Sequence, residues 1–289
     1  MTTKGIFKEA KAHMQGNWGF GVGVTLLALL ISSVSSGIAN FIPVIGGLVV
    51  IILFRNPLMM GVYWLFLGLV DQAVGEKKPS VDNLFDGLRD YARVLAASSL
   101  HLLILGAWAL LWMLGLTILI LTTFLHSIIF TLMAALLMIG LALPVIIAGL
   151  SYSQFYYILK DEPQIGAMEA LKKSRRLMKG HKGKYLLVQL SLIFLILLVT
   201  MPFLIGLGIM MASMPFGTLE TTGIFEMISN QLLLRNSISL GLGFLIVTPF
   251  FIFWMPFMYA CYATFYRRLI PKITAEKEKQ LEAFEGHSD

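Results

Sequence analysis

The chain has one cysteine, Cys261, so no internal disulfide can form and no thiolate set is available for a metal cluster. Charge is scarce as well. Only 13% of residues are Asp, Glu, Lys or Arg, against about 25% in an ordinary soluble domain. His, Cys, Asp and Glu do not recur at metal-ligand spacing on a common helix face. There is no Gly-x-Ser-x-Gly elbow and no phosphate-cradling glycine loop. Ser151, Ser153 and Tyr156 cluster in sequence without a base near them. These absences argue against an enzyme, a metal site and a bound cofactor, and the expectation is a non-catalytic protein.

What the chain has is apolar length. Hydrophobic residues make up 57% and the mean hydropathy is +0.81, more apolar surface than one water-facing fold can hide. A hydrocarbon core about 30 Å thick takes about 20 residues of helix. Helices are the expected spanning element because each closes its own backbone hydrogen bonds in lipid. The expected fold is therefore all-α, a polytopic bundle of about six spans within one integral membrane domain, 1–289.

The cations fix the threading. Of the 22 Lys and Arg residues, all but Arg55 and Arg235 fall in Met1–Asn17, Asp71–Arg93, Lys160–Lys184 and Arg267–Asp289. Basic segments between apolar ones follow the positive-inside rule, which places them and both termini in the cytoplasm. The net charge of +6 is thereby explained without nucleic acid. Lys4, Lys8 and Lys11 before the apolar run Trp18–Ile31, with small residues from Ser35 to Ala39, also fit a signal peptide. The long basic stretch and the membrane-embedded chain after it favour an uncleaved first span.

The expected organisation is a cytoplasmic amphipathic helix over 1–17, a hairpin over 18–71 and a second hairpin with its cytoplasmic lead-in over 72–160. A basic segment over 161–184, a third hairpin over 185–266 and a cytoplasmic tail over 267–289 complete it. Span one runs to about Asn40. Pro43, Gly46 and Gly47 interrupt the next apolar stretch, and Arg55-Asn56-Pro57 reads as a helix start, so span two is expected from Pro57 to Asp71. Residues 41–56 would then lie along the outer interface; one unbroken helix carrying Arg55 is the rival. Spans three to six are expected at Arg93–Thr122, Ser127–Lys160, Tyr185–Met211 and Ser237–Tyr266. His126 falls in an outer turn, and the outer loop Ala212–Asn236 carries Glu220 and Glu226.

Three lead-in segments resemble one another. An offset of about 164 residues pairs Phe7 with Leu171, Ala10 with Ser174, Lys11 with Arg175, Met14 with Met178 and Gly16 with Gly180. Val81, Leu84, Phe85 and Leu88 form a weaker third copy.

Around Pro163–Gly180 the periodicity is clearest. Ala167, Ala170, Leu171, Ser174, Leu177 and Met178 share one arc, with Lys172, Lys173, Arg176 and Lys179 opposite. Asp161, Glu162 and Pro163 favour its start and Gly180 its end. The expectation is an interfacial helix whose Lys172, Lys173, Arg175, Arg176, Lys179 and Lys182 attract anionic phospholipid headgroups.

The run Tyr152, Ser153, Tyr157, Ile158, Leu159, Asp161, Pro163, followed by Ala167, Ala170, Leu171, Ser174, Leu177, Met178, Gly180 and Lys182, resembles bacterial integral membrane proteins grouped as "domain of unknown function 975". Phe85 with Gly87 and the aromatic close Tyr259, Tyr262, Phe265, Tyr266 agree with it. The resemblance covers nearly the whole chain. It implies a bacterial cytoplasmic-membrane protein without an established activity. Pro144-Val145 stands where the family has a Pro-Gly pair, and spans three and four are longer than its norm.

Other features have plainer readings. Tyr152, Phe155, Tyr156 and Tyr157, echoed by Tyr262, Phe265 and Tyr266, fit an aromatic belt at the inner interface. Ser32, Ser33, Ser35, Ser36 and Gly37, with Gly206, Gly208, Gly241 and Gly243, fit close helix packing. His101 near a span end fits an interfacial residue better than a relay. The favoured function is interaction with anionic lipid or a partner membrane protein. A carrier of a neutral or amphipathic solute, with a cavity lined by Gln189, Ser191 and Thr200, is the alternative. A membrane-embedded lipid enzyme is third, and needs His101 or Asp71 to meet a second ionisable residue in one pocket.

Overall fold

A computed structural model of the chain describes residues 2–39, 46–72, 77–124, 127–212, 245 and 247–270. Among them every assigned element is helical. In order these are α1 (Thr3–Met14), α2 (Trp18–Ala39), α3 (Gly46–Val50), a π turn (Ile51–Arg55) and α4 (Asn56–Asp71). A 3-10 turn (Val81–Phe85), α5 (Asp86–Arg89), α6 (Tyr91–Phe124) and α7 (Ile128–Tyr152) follow. Then come α8 (Phe155–Asp161), α9 (Ala167–Leu177), α10 (Lys182–Ala212) and α11 (Val247–Ile270).

Among the described residues, six stretches are long and apolar enough to cross a membrane: Trp18–Gly37, Ile51–Asp71, Tyr91–Phe124, Ile128–Asp161, Lys182–Met201 and Val247–Ile270. The fold is a polytopic helical bundle. The expected outer turn at His126, the loop with Glu220 and Glu226, Arg235, residues 41–45, Gly241, Gly243, the start of span six and the tail beyond Ile270 lie outside the described residues.

Span two does not begin at Pro57, as the sequence suggested. Helix continues from Gly46 to Asp71 through the π turn, with Arg55 in right-handed helical geometry. Proline has no N–H, so the Leu53 carbonyl loses its α-helical donor. Two adjustments carry the helix past it. The Asn56 N–H reaches back five residues to the Ile51 oxygen, and the Tyr91 hydroxyl donates to the Leu53 oxygen at 3.0 Å. A side chain from another segment thus supplies what the proline removes, the condition under which such a site survives inside a helix.

α4 is the hub of the fold. Leu58, Met60, Val62, Leu65, Phe66 and Leu67 are fully buried. The segment after it turns back along its length. A Cβ added to Gly61 would sit 1.8 Å from the Leu84 carbonyl oxygen, and one on Gly87 would sit 2.1 Å from that of Pro57. Only glycine allows the two backbones this approach. The segment carrying the third copy, Val81, Leu84, Phe85 and Leu88, is not one continuous α-helix. It is a 3-10 turn and one turn of α5, started by a capping box in which the Ser80 N–H donates to Asn83 Oδ1 at 2.8 Å. The tighter winding takes Val81 out of the apolar row, and it is exposed while Leu84 is buried.

The other two lead-in segments are structural twins. α1 buries Ile6, Ala10 and Met14, and α9 buries Ala170 and Ser174 with Met178 at its end. Each is closed by a left-handed glycine, Gly16 at φ +76° and Gly180 at φ +80°, the usual C-terminal cap. α9 starts at Ala167 with Gly166 as its cap, later than expected, because Asp161 ends α8 and both acids have other partners.

α6 and α7 form an antiparallel hairpin. A Cβ on Gly115 would meet Leu141 at 2.9 Å and the Met138 Cα at 3.3 Å. Among the described residues no atom lies within 4 Å of a Cβ built at Gly37 or Gly208. A Cβ built on Gly21 would meet Met14 at 2.7 Å and Phe66 and Pro256 at 3.5 Å.

Candidate functional site

The fourth span is interrupted at Ser153-Gln154, between α7 and α8. A break in a helix leaves backbone groups without partners. The buried Ser174 hydroxyl serves two of them, accepting from the Gln154 N–H at 3.1 Å and donating to the Ser151 oxygen at 3.0 Å. Ser174 thereby fastens α9 beneath the break. The apolar arc of this interfacial helix packs on protein, and Met168, Glu169, Lys172, Arg175 and Arg176 remain exposed.

The six cations assigned to headgroup binding divide. Lys173 is half-buried and ion-paired with Glu162, whose backbone oxygen also accepts from Arg93 at 2.8 Å. Lys172, Arg175, Arg176 and Lys179 are exposed. Arg175 and Lys182, from α9 and the first turn of α10, converge on a cavity of about 300 Å³. Trp108 of α6 and Pro144, Ile147 and Ala148 of α7 form its apolar wall, with Ser151 and Tyr152 at the polar end. Arg175 also borders an open groove with Lys172, Arg176, Glu169 and Met168.

Sequence reasoning missed the apolar wall, although Pro144, Ile147, Ala148 and Ser151 repeat at helical spacing on one face of α7. It also missed an ionic clasp. Arg267 of α11 grips Asp71 of α4 through Nε to Oδ1 and Nη2 to Oδ2, each 2.5 Å, and Nη2 reaches Oδ1 of Asp161 at 3.0 Å. The Tyr266 hydroxyl donates to Asp161 Oδ2 at 2.8 Å. A signal was available: both acids close a span and the arginine closes another. Arg268 pairs with Glu9, tying α1 to α11.

The two aromatic sets pack largely on protein, with Tyr152, Tyr156 and Tyr262 half-buried against the core. Phe155, Tyr157, Phe265 and Tyr266 are buried, and Tyr157 stacks on Tyr266 at 5.0 Å between centroids. Protein encloses them because α8 lies against α4 and α9, with Trp64 Nε1 donating to the Tyr156 oxygen at 2.7 Å.

The remaining motif residues are structural too. Tyr152 ends α7, Ser153 donates to the Leu150 oxygen at 2.9 Å, and Pro163 lies in the connection to α9. Met178 is fully buried and Gly180 takes the left-handed turn.

His101 lies about three turns inside α6, its ring 4.7 Å from that of Phe155. It shares a second cavity with Arg55, but a permanent guanidinium cation is no acid or base partner for catalysis. Ser191 and Thr200 donate to the Leu187 and Ile196 oxygens of their own helix, each at 2.8 Å. Among the described residues no three His, Cys, Asp or Glu side chains gather as a metal set.

A family model described as "Protein of unknown function (DUF975)" matches residues 1–272. No curated protein and no solved structure matches the chain.

Proposed function

The chain belongs to this family of unknown function, and we propose that it is a non-catalytic protein of the bacterial cytoplasmic membrane that holds an anionic phospholipid between α6, α7 and α9. The observation that carries this reading is the meeting of Arg175 and Lys182 over an apolar wall. A guanidinium offers paired donors to a phosphate and an ammonium adds a point charge. Trp108, Ile147 and Pro144 offer apolar surface to the first part of an acyl chain. Lys172, Arg176 and Lys179 sit outside the cavity and add longer-range attraction, about 1 kcal/mol for each cation near an anionic surface.

Two observations support placing the basic segments on one side, with both termini cytoplasmic. The Arg267 clasp brings together the ends of α4, α8 and α11, and the Glu9–Arg268 pair joins the first segment to the last span. Sidedness then follows from the positive-inside rule.

The test is mass spectrometry of lipid retained by protein extracted in native membrane discs. Wild type is expected to keep phosphatidylglycerol or cardiolipin beyond its share of the surrounding bilayer. The Arg175→Gln, Lys182→Gln double variant is expected to lose that excess. An unchanged excess would exclude the site.

A further inference from the structure

We propose that the cavity beside the π turn of span two is a second, separate ligand site, one that takes an oxyanion carried on an aliphatic chain. It lies where α6 crosses the Ile51–Tyr63 stretch and has a volume of about 310 Å³. Its polar wall is Arg55, Asn56, Ser98 and His101, with the rings of Tyr63 and Tyr156 beside them. Among the described residues, no carboxylate lines it.

Among the described residues, one of these groups has no ion-pair partner and another no hydrogen-bond partner. Arg55 is exposed and forms no ion pair with any described residue, whereas Arg89, Arg93, Arg267 and Arg268 each pair with an acid. His101 Nε2 is enclosed and has no hydrogen-bond partner. A cation in an apolar span needs a counter-charge, and a buried ring nitrogen needs a donor or acceptor opposite it. One oxyanion between them meets both needs, because a guanidinium binds carboxylate or phosphate through paired N–H donors.

The rest of the wall describes the remainder of the ligand. Ile51, Met59, Leu102 and Leu105 are apolar. The volume is at the small end of the range of about 300–1,000 Å³ for ligand pockets, room for a head and the first carbons of one chain. The π turn contributes to the geometry. By carrying the helix past Pro57 it keeps Ile51 and Arg55 beside Asn56 and Met59, where a helix starting at Pro57 would have released them. A carboxylate and a phosphate monoester share this chemistry, and the experiment separates them.

The experiment uses the full chain in phosphatidylcholine nanodiscs, titrated with carbonyl-labelled octanoate and followed by carbon NMR, with empty discs subtracted. Octyl phosphate, octanol and acetate are run alongside. Octanoate or octyl phosphate is expected to bind saturably, at least tenfold tighter than octanol or acetate, and whichever of the two is tighter identifies the head. Arg55→Gln is expected to weaken binding tenfold or more. Leu102→Trp, which fills the cavity and leaves the charges in place, is expected to abolish it, and decides the matter if the arginine variant fails to fold. The Arg175→Gln, Lys182→Gln variant is expected to bind as wild type. Loss of binding there would move the ligand to the other pocket and overturn this site. Equal affinity for octanoate and acetate, no saturable binding, or indifference to both Arg55→Gln and Leu102→Trp would overturn it as well.

Discussion

Span two and the α6–α7 hairpin are both long apolar helices, yet they have opposite surroundings. In Ile51–Asp71, 56% of the residues of the most apolar window are buried; in Tyr91–Phe124 and Ile128–Asp161 the share is 6% each. Hydropathy runs the other way, at 1.4 for the buried span against 2.3 and 2.6 for the exposed pair. Where lipid is the solvent, greasiness does not decide what goes inside. Close backbone approach and polar groups with partners do. α4 has Gly61 and Gly68 to admit its neighbours, Trp64 and Asp71 to bond them, and Pro57 with a carbonyl that Tyr91 satisfies. The hairpin presents Leu110 and Leu136, each at least 70% exposed, with nothing among the described residues for them to meet.

The contrast is broken most directly by adding bulk. Gly61→Leu drives side-chain atoms into the Leu84 backbone, and is expected to cost more than about 4 kcal/mol, or folding altogether. Gly106→Leu in α6, where a Cβ meets no described atom, is expected to change stability by less than about 0.5 kcal/mol. Unfolding in mixed micelles, followed by circular dichroism, compares the two.

Next in size is the clasp. Asp71→Ala leaves Arg267 facing Asp161 alone at a partly exposed site, and is expected to cost about 3 kcal/mol. Joining this variant with Arg267→Met is expected to recover part of the loss, because the stranded charge goes with it. A double variant less stable than the single one would show that Arg267 does more than answer Asp71.

Smaller again, Ser174→Ala removes the partner of the Gln154 N–H and of the Ser151 oxygen. The expected loss is about 1–3 kcal/mol, with faster amide exchange localised to residues 151–155. Uniform exchange across the molecule would contradict the role given to that hydroxyl. The smallest effect is expected for Leu136→Ala, within about 0.5 kcal/mol, since that side chain faces outward.

The helical class and the number of candidate spans were legible because they depend on composition. Clustered cations and long apolar runs specify the number of crossings whatever the packing, and the offset pairing Gly16 with Gly180 found two left-handed turns that share a geometry. The interior was not legible in the same way. The clasp joins residues 196 and 106 positions apart, and the hydroxyl that bonds the Leu53 oxygen left free by Pro57 is 38 residues from Leu53. A local pattern at Arg55-Asn56-Pro57 could therefore only read as a break. Tyr157 and Tyr266 looked like belt residues because belt and core tyrosines share the same position along a span; what lies beside them differs, and that is set by α8 and α11 meeting. For the candidate lipid site, the cations were visible as a stripe. Their sorting into a paired Lys173 and a converging Arg175 and Lys182 required the positions of Glu162 and Trp108.

The most direct measurement uses quenching by brominated lipid of two single-tryptophan proteins, one keeping only Trp64 in the hub and one keeping only Trp108 in the hairpin, with the other tryptophans changed to Phe. Trp64 is expected to stay unquenched and Trp108 to be strongly quenched, more by brominated phosphatidylglycerol than by brominated phosphatidylcholine, the difference vanishing in the Arg175→Gln, Lys182→Gln background. Equal quenching of the two tryptophans, or a Trp108 indifferent to headgroup charge, would contradict the account.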